Sequence, residues 1–250
     1  MTECTAQVGF LSPPDWCDPS PSEFYLLCGG KVRVQQTVLA IPDMDWSLET
    51  IAASYDQQLS GARALASTGC DVIALVGTPF GWAGLPSIDA ARARAQDLSA
   101  AAGVPVITTA VAIVDALQTL EVRRAGLACT YYSGGWKQAW SAFLSASGFS
   151  VHAHSFADDG IMSENSHANA QFWSPEAQLI RDSVSNLQRS AGPFDAVVIS
   201  GAGARCLALI AELEAQLGIP VMGSDTALYR ALLQWIEVDV EPGCLGSIWS

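Results

Sequence analysis

Short runs of consecutive apolar residues alternate along this chain with longer segments in which apolar residues recur at helical spacing. Gln7–Ser12 is an apolar run stopped by Pro13 and Pro14, which predicts a strand ending in a loop. In Ser47–Ser67, residues such as Leu48, Ile51, Tyr55, Ala62 and Leu65 recur at helical spacing, with Asp45 or Ser47 as the cap. Asp71–Val76 is apolar on both faces, as strands inside a parallel sheet are. Ser87–Ala102 predicts a helix closed by Gly103, followed by a strand at Val104–Thr108 and a helix at Ala110–Leu120. This β-α-β-α order is that of an α/β protein with parallel sheets.

The pattern then repeats. Cys70–Thr78 (CDVIALVGT) resembles Phe194–Ala202 (FDAVVISGA) position by position. Each run leads through a helix to a matching strand, Ala102–Val106 and Leu217–Val221, and then to small polar residues, Thr108–Ala110 and Ser224–Ala227. The starts of the halves also correspond, Val8–Pro13 opposite Ala125–Thr130. Two similar halves, rather than one sheet, is the economical reading. The predicted lobes are 1–118 with 227–250, and 119–226, the chain crossing near Leu117–Arg123 and Ser224–Leu228 and Leu232–Ser250 returning to the first lobe. Ligands of such sheets lie beyond the carboxyl ends of the strands. The loops Ser12–Pro14, Gly77–Pro79, Tyr131–Ser133 and Gly201–Gly203 are therefore the expected walls of a cleft between the lobes.

Charge narrows the partners. Half of the residues are hydrophobic and 15% are charged, a composition for a packed core. Twelve Lys and Arg against 25 Asp and Glu give a formal net charge of −13, which argues against nucleic acid and against anionic membrane surfaces. It does not exclude an anionic substrate, since backbone N–H groups can hold one without side-chain cations. The uncharged stretches Val72–Ile88 and Leu98–Val114 are broken by Gly and Pro, so no spanning helix is expected. The first ten residues carry no positive region before an apolar run, and the seven cysteines include no CxxC pair. A cytoplasmic protein with reduced thiols is the expectation, without a cysteine-bound metal.

No GxGxxG, GxxxxGK[ST] or GxSxG is present, so no nucleotide cofactor and no serine nucleophile is expected. Gly201-Ala202-Gly203 is partly dinucleotide-like, but Arg205-Cys206 stands where the third glycine belongs. Gly77-Thr78 and Gly201–Gly203 follow buried strands, and their N–H groups are expected to open helices and form a carboxylate site; the alternative is a tight turn that needs glycine. His152 and His154 could form a metal pair on a strand, but no third ligand has clear spacing, and a solvated strand edge is the other reading. Ser174-Pro175-Glu176 reads as cap, first-turn proline and first-turn acid of a helix. Trp136 and Trp140, after Tyr131-Tyr132, read as core or cleft wall.

At these loops the chain resembles the aspartate/glutamate racemase superfamily, in particular its arylmalonate decarboxylase and maleate isomerase branch. Val8–Pro14, Asp71–Thr78, Gly126–Tyr132, Asp195–Gly203 and Gly218–Ala227 carry the resemblance. It implies two pseudo-symmetric flavodoxin-like lobes, each a short parallel sheet flanked by helices, with a site between them and no cofactor. It also implies a small carboxylate substrate that reacts at the acidic carbon next to a carboxylate, with one or two cysteines as acid, base or nucleophile.

Carried over residue by residue, Thr78 and Tyr132 match hydroxyls that hold the substrate carboxylate, and Pro14 matches the proline-rich wall. Gly77 matches a cysteine of the racemases that is glycine in the decarboxylase, and Gly201 stands where the second cysteine belongs. Pro79 departs from the pattern, having no backbone N–H to donate. Ala202 contributes an N–H, and Tyr132 is the best-matched acid, followed by Asp225 and Asp15; Cys17 and Cys206 serve only if loops bring them in. The resemblance thus implies a cofactor-independent decarboxylase-like enzyme on a substituted malonate-type acid, with glycine at both cysteine positions. The alternatives are an isomerase, racemase, hydratase or lyase of a small dicarboxylate, or a non-catalytic small-acid binder. Self-association into a homo-oligomer is left open.

Overall fold

Two separate four-stranded parallel sheets carry the fold. The computed structural model of the chain describes residues 5–132, 134–163, 166–241 and 243–249. The first sheet holds β1 (Ala6–Ser12), β2 (Val32–Val38), β3 (Val72–Leu75) and β4 (Val106–Thr108) in the order β2-β1-β3-β4. The second holds β5 (Arg124–Cys129), β6 (Ser150–Ser155), β7 (Ala196–Ser200) and β8 (Val221–Gly223) in the order β6-β5-β7-β8. The same order in both sheets is the repeat read from the sequence, and the expected parallel α/β class holds.

Position in the sheet explains which strands the pattern reveals. Central β3 and β7 are buried at every residue, so both faces must be apolar. β2 (VRVQQTV) and β6 (SVHAHS) lie at the edges, exposed on one side, and alternate with polar residues. No apolar run marks β2, and the sequence reading passes over it together with α1 (Ser20–Leu27).

Three expectations, two helices and a strand, are corrected. The single helix over Ser47–Ser67 is two, α2 (Leu48–Ala53) and α3 (Tyr55–Ala66), because the backbone turns at Ser54, whose N–H and hydroxyl both bond Ile51 O. Ser47 does cap α2, accepting the Thr50 N–H at 3.1 Å. The strand after Gly103 is only β4, between α4 (Ile88–Ala102) and α5 (Thr109–Thr119). The helix expected from Ser174 begins at Ala177 as α7 (Ala177–Ser190), and Glu176 in the cap position makes no side-chain cap. The second sheet is further flanked by α6 (Gly134–Ala146) and α8 (Ile210–Leu217), and α9 (Ser224–Leu233) follows β8 directly.

The chain divides into unit one, Met1–Leu85, Asp89–Ala112 and Leu228–Glu241, and unit two, Pro86–Ile88, Ile113–Ala227 and Pro242–Ser250. Two of these divisions, after Ala112 and after Ala227, fall inside α5 and α9. The tail expected to return to the first lobe does so only to Glu241; beyond it, Ser247 N–H bonds the Glu214 carboxylate of α8. Among the described residues no helix is long and apolar enough to cross a membrane.

Candidate active site

In unit one the strand ends finish in an apolar turn. After β3, Gly77 adopts φ +89°, and Thr78–Gly81 form a 3₁₀ turn rather than the first turn of an α-helix; α4 begins only at Ile88. Positive φ is what requires glycine here. A Cβ on Gly77 would also lie 2.9 Å from both Pro13 Cγ and Phe80 Cδ2. Thr78, Pro79 and Phe80 are buried, and Gln58 Nε2 donates to Phe80 O at 3.3 Å.

The exit of β1 is fixed by polar contacts. The Ser12 hydroxyl donates to Asp18 at 2.6 Å and accepts from Gln36 at 3.0 Å, while Asp18 takes the Ser20 N–H at the start of α1. Between these anchors Pro14 is buried, Asp15 is exposed at φ +58° and Cys17 is exposed. Pro14, Asp15 and residues 38–42, from Val38 to Pro42, line an open groove of about 370 Å³.

In unit two the corresponding loop is polar and closely stitched. Gly201 sits at φ +116°, and the helix expected there is again delayed, to α8. The Gly201 N–H donates to Ser224 Oγ (3.2 Å) and the Gly203 N–H to Tyr131 Oη (3.3 Å). The N–H groups of Ala204 and Arg205 turn back to Gly201 O and Gly203 O. The Ala202 N–H, between these, has no acceptor among the described residues. Of the two N–H groups expected to form an anion site, Gly201's is therefore committed and Ala202's is open.

The tyrosine that reaches this loop is Tyr131. A Cβ on Gly201 would lie 2.4 Å from its Oη, so the glycine makes room for the phenol. Burial raises the Tyr131 pKa well above its ordinary value, keeping the hydroxyl protonated. Tyr132 is also buried, but its ring packs edge-on between Tyr131 (5.3 Å) and Trp136 (5.1 Å), and Trp136 stacks on His167 at 4.8 Å. β5 ends at Cys129, paired in register with Ser200, and Tyr131 lies beyond the strand, against Gly201. Ser133, the last residue of that expected loop, lies outside the described residues.

Asp225, a candidate for contact with substrate, instead turns its carboxylate into unit two. It accepts the Cys206 N–H and S–H, both at 3.0 Å, and the Thr226 N–H at 2.8 Å. Cys206 is thereby brought beside the loop, but fully buried. Cys129 is buried too; desolvation pushes its pKa up to about 12, against the lowering effect of Ser200 and Lys137, which makes the thiol inert. His154 pairs with Asp159 (3.3 Å) and His152 with the Ser190 hydroxyl (3.0 Å). Among the described residues no three metal-binding side chains gather.

The fold is found elsewhere. The crystal structure of arylmalonate decarboxylase matches with a TM-score of 0.76 at 20% identity, over 97% of this chain and 98% of that one. Maleate cis-trans isomerase of Nocardia farcinica bound to TRIS matches at 0.77 and 20% identity, over 98% and 97%. A maleate isomerase variant from Pseudomonas putida, with maleate, matches at 0.75 and 17%, over 98% and 97%. No curated protein sequence matches the chain. The family model described as arylmalonate decarboxylase matches residues 8–249, nearly the whole length. The chain belongs to the arylmalonate decarboxylase family, a family of enzymes.

Proposed function

We propose that this protein is a cofactor-independent decarboxylase acting on a small substituted malonate-type acid. The observation that carries the reading is the unit-two loop, in which the open Ala202 N–H lies between two committed ones and a buried, protonated Tyr131 hydroxyl is held to the next residue. In the reaction, the bond from the α-carbon to one carboxylate breaks and CO₂ leaves. The electron pair stays on the α-carbon and spreads onto the remaining carboxylate as an enediolate, which one proton then converts to the product acid. Fixed N–H and O–H donors aimed at that developing charge are the largest single source of acceleration in such chemistry. The Ala202 N–H and the Tyr131 hydroxyl are assigned that work. With glycine at positions 77 and 201, the proton comes from an oxygen acid, and Tyr131 is the first candidate.

The test is release of CO₂ from phenylmalonate by the wild type, Tyr131→Phe and Tyr132→Phe. Tyr131→Phe is expected to lower kcat by about 10²–10³, with about 1 kcal/mol lost in stability. Collapse of kcat in Tyr132→Phe with Tyr131→Phe unaffected would move the role to Tyr132. Conversion of maleate to fumarate, without CO₂ release from any substituted malonate, would overturn the decarboxylase reading in favour of an isomerase.

A further inference from the structure

One buried carboxylate in unit two takes no part in that chemistry, yet it sits at the loop that does. Asp225, in the first turn of α9, has a completely buried side chain. Burying a carboxylate is costly unless donors meet its oxygens. Here three do, and two of them, the N–H and S–H of Cys206, come from the residue five places beyond Gly201. Arg205 adds its guanidinium at 3.9 Å and sends a second nitrogen to Ala202 O at 3.0 Å. Gly223 leaves the space in which thiol and carboxylate meet. A Cβ there would stand 2.0 Å from Cys206 Sγ and 2.3 Å from Asp225 Oδ1.

The loop is thus tied at both ends to adjacent residues of α9, Gly201 to Ser224 and Cys206 to Asp225. We propose that Asp225 is a positioning residue. Through Cys206 and Arg205 it holds the 201–206 loop in the shape that offers the Ala202 N–H to a carboxylate or enediolate oxygen. The Cys206 thiol serves as a donor to Asp225, not as the acid that replaces the family cysteines. The inference rests on the decarboxylase reading for the identity of the oxygen, and on the loop itself for the latch.

Amide hydrogen exchange and phenylmalonate turnover, measured on the full chain well below its melting temperature, test it together. Asp225→Asn keeps size and removes the charge; it is expected to speed exchange of the 201–206 amides by about tenfold or more while the rest of unit two keeps its protection. It should lower kcat by about 10- to 100-fold with KM changed far less, since a displaced donor acts mainly in the transition state. Gly223→Ala, which intrudes on the pair without touching its charge, should act in the same direction. Cys206→Ser, retaining a donor to the same oxygen, should keep the loop protected. Loop exchange within twofold of wild type in Asp225→Asn overturns the proposal. So does faster exchange spread evenly over unit two with kcat unchanged, which marks a residue that only stabilises the fold. If the loop loosens locally as expected but wild type releases no CO₂, the latch stands and the decarboxylase reading falls.

Discussion

Unit one and unit two reach their strand ends by the same backbone route and finish it with opposite materials. In each, a fully buried central strand leads to a glycine at positive φ, +89° at Gly77 and +116° at Gly201. Unit one continues with Thr-Pro-Phe-Gly, where Pro79 has no N–H and Phe80 and Pro13 crowd the glycine. Unit two continues with Ala-Gly-Ala-Arg-Cys, where hydrogen bonds to Ser224, Tyr131 and Asp225 set the path. The strand–glycine frame decides where the backbone turns; the next four or five side chains decide whether the turn offers an apolar wall or a donor. The decarboxylase chemistry proposed for this protein uses the second kind.

The sharpest way to break the comparison is Gly203→Ala, which has no counterpart in unit one. A Cβ on Gly203 would lie 1.6 Å from Trp173 O and 2.5 Å from its carbonyl carbon, and backbone cannot swing aside as a side-chain end can. The expected loss is about 3 kcal/mol or more, or a fall in Tm of roughly 6–12 °C for a chain of this size. A Tm within 2 °C of wild type would show that the Trp173 segment yields easily and that the loop is not held as described.

Placing a cysteine at each of the two positive-φ glycines tests them against each other. Either substitution places a side chain at positive φ, at about 1–3 kcal/mol. Gly77→Cys then presses on the edges of Phe80 and Pro13, side chains that can yield. Gly201→Cys drives into the rigid ring of Tyr131, with Oη at 2.4 Å and Cζ at 2.5 Å, and breaks its bond to the Gly203 N–H. Urea denaturation should place Gly201→Cys about 1 kcal/mol below Gly77→Cys, and phenylmalonate turnover should fall further in Gly201→Cys. The reverse order would mean that Tyr131 is not seated against Gly201.

How much of this was open to a reader of the residues follows from what each feature depends on. The paired sheets were legible because buried central strands must be apolar on both faces and because the repeat preserved their exits; edge strand β2, polar on one face, left no such trace. Gly77 and Gly201 were legible as turns, but the expected helix openings were not there, since a strand–glycine pattern does not reveal how many residues intervene before α4 or α8. Family matching points to Tyr132, whereas the hydroxyl that accepts the Gly203 N–H belongs to Tyr131, beyond the end of β5, where no strand pattern reaches. The Asp225–Cys206 contact joins residues nineteen apart in sequence through the path of one loop, which no local pattern encodes.

The smallest expected effect compares the last residues of the first strands. Ser12 ends β1 in unit one, and Cys129 ends β5 in unit two at the matching place in the repeat. Burial raises the Cys129 pKa from its ordinary 9.0 to about 12. The thiol therefore stays protonated in the folded protein while the unfolded chain begins to ionise near pH 9. Its contribution to stability is complete below that pH and is lost as pH rises toward 12, by about 1.4 kcal/mol per unit. Tyr131, raised for the same reason, adds to the loss from its ordinary value near 10 upward. Cys129→Ser gives unit two the residue that unit one already has, so its unfolding free energy from urea titration should fall less steeply than wild type between pH 8 and 10, by about 1 kcal/mol at pH 10. Parallel curves for the two proteins would mean that the Cys129 thiol is not desolvated in the folded chain. The alkaline sensitivity of unit two would then rest on Tyr131, and Tyr131→Phe in the same titration would reveal it.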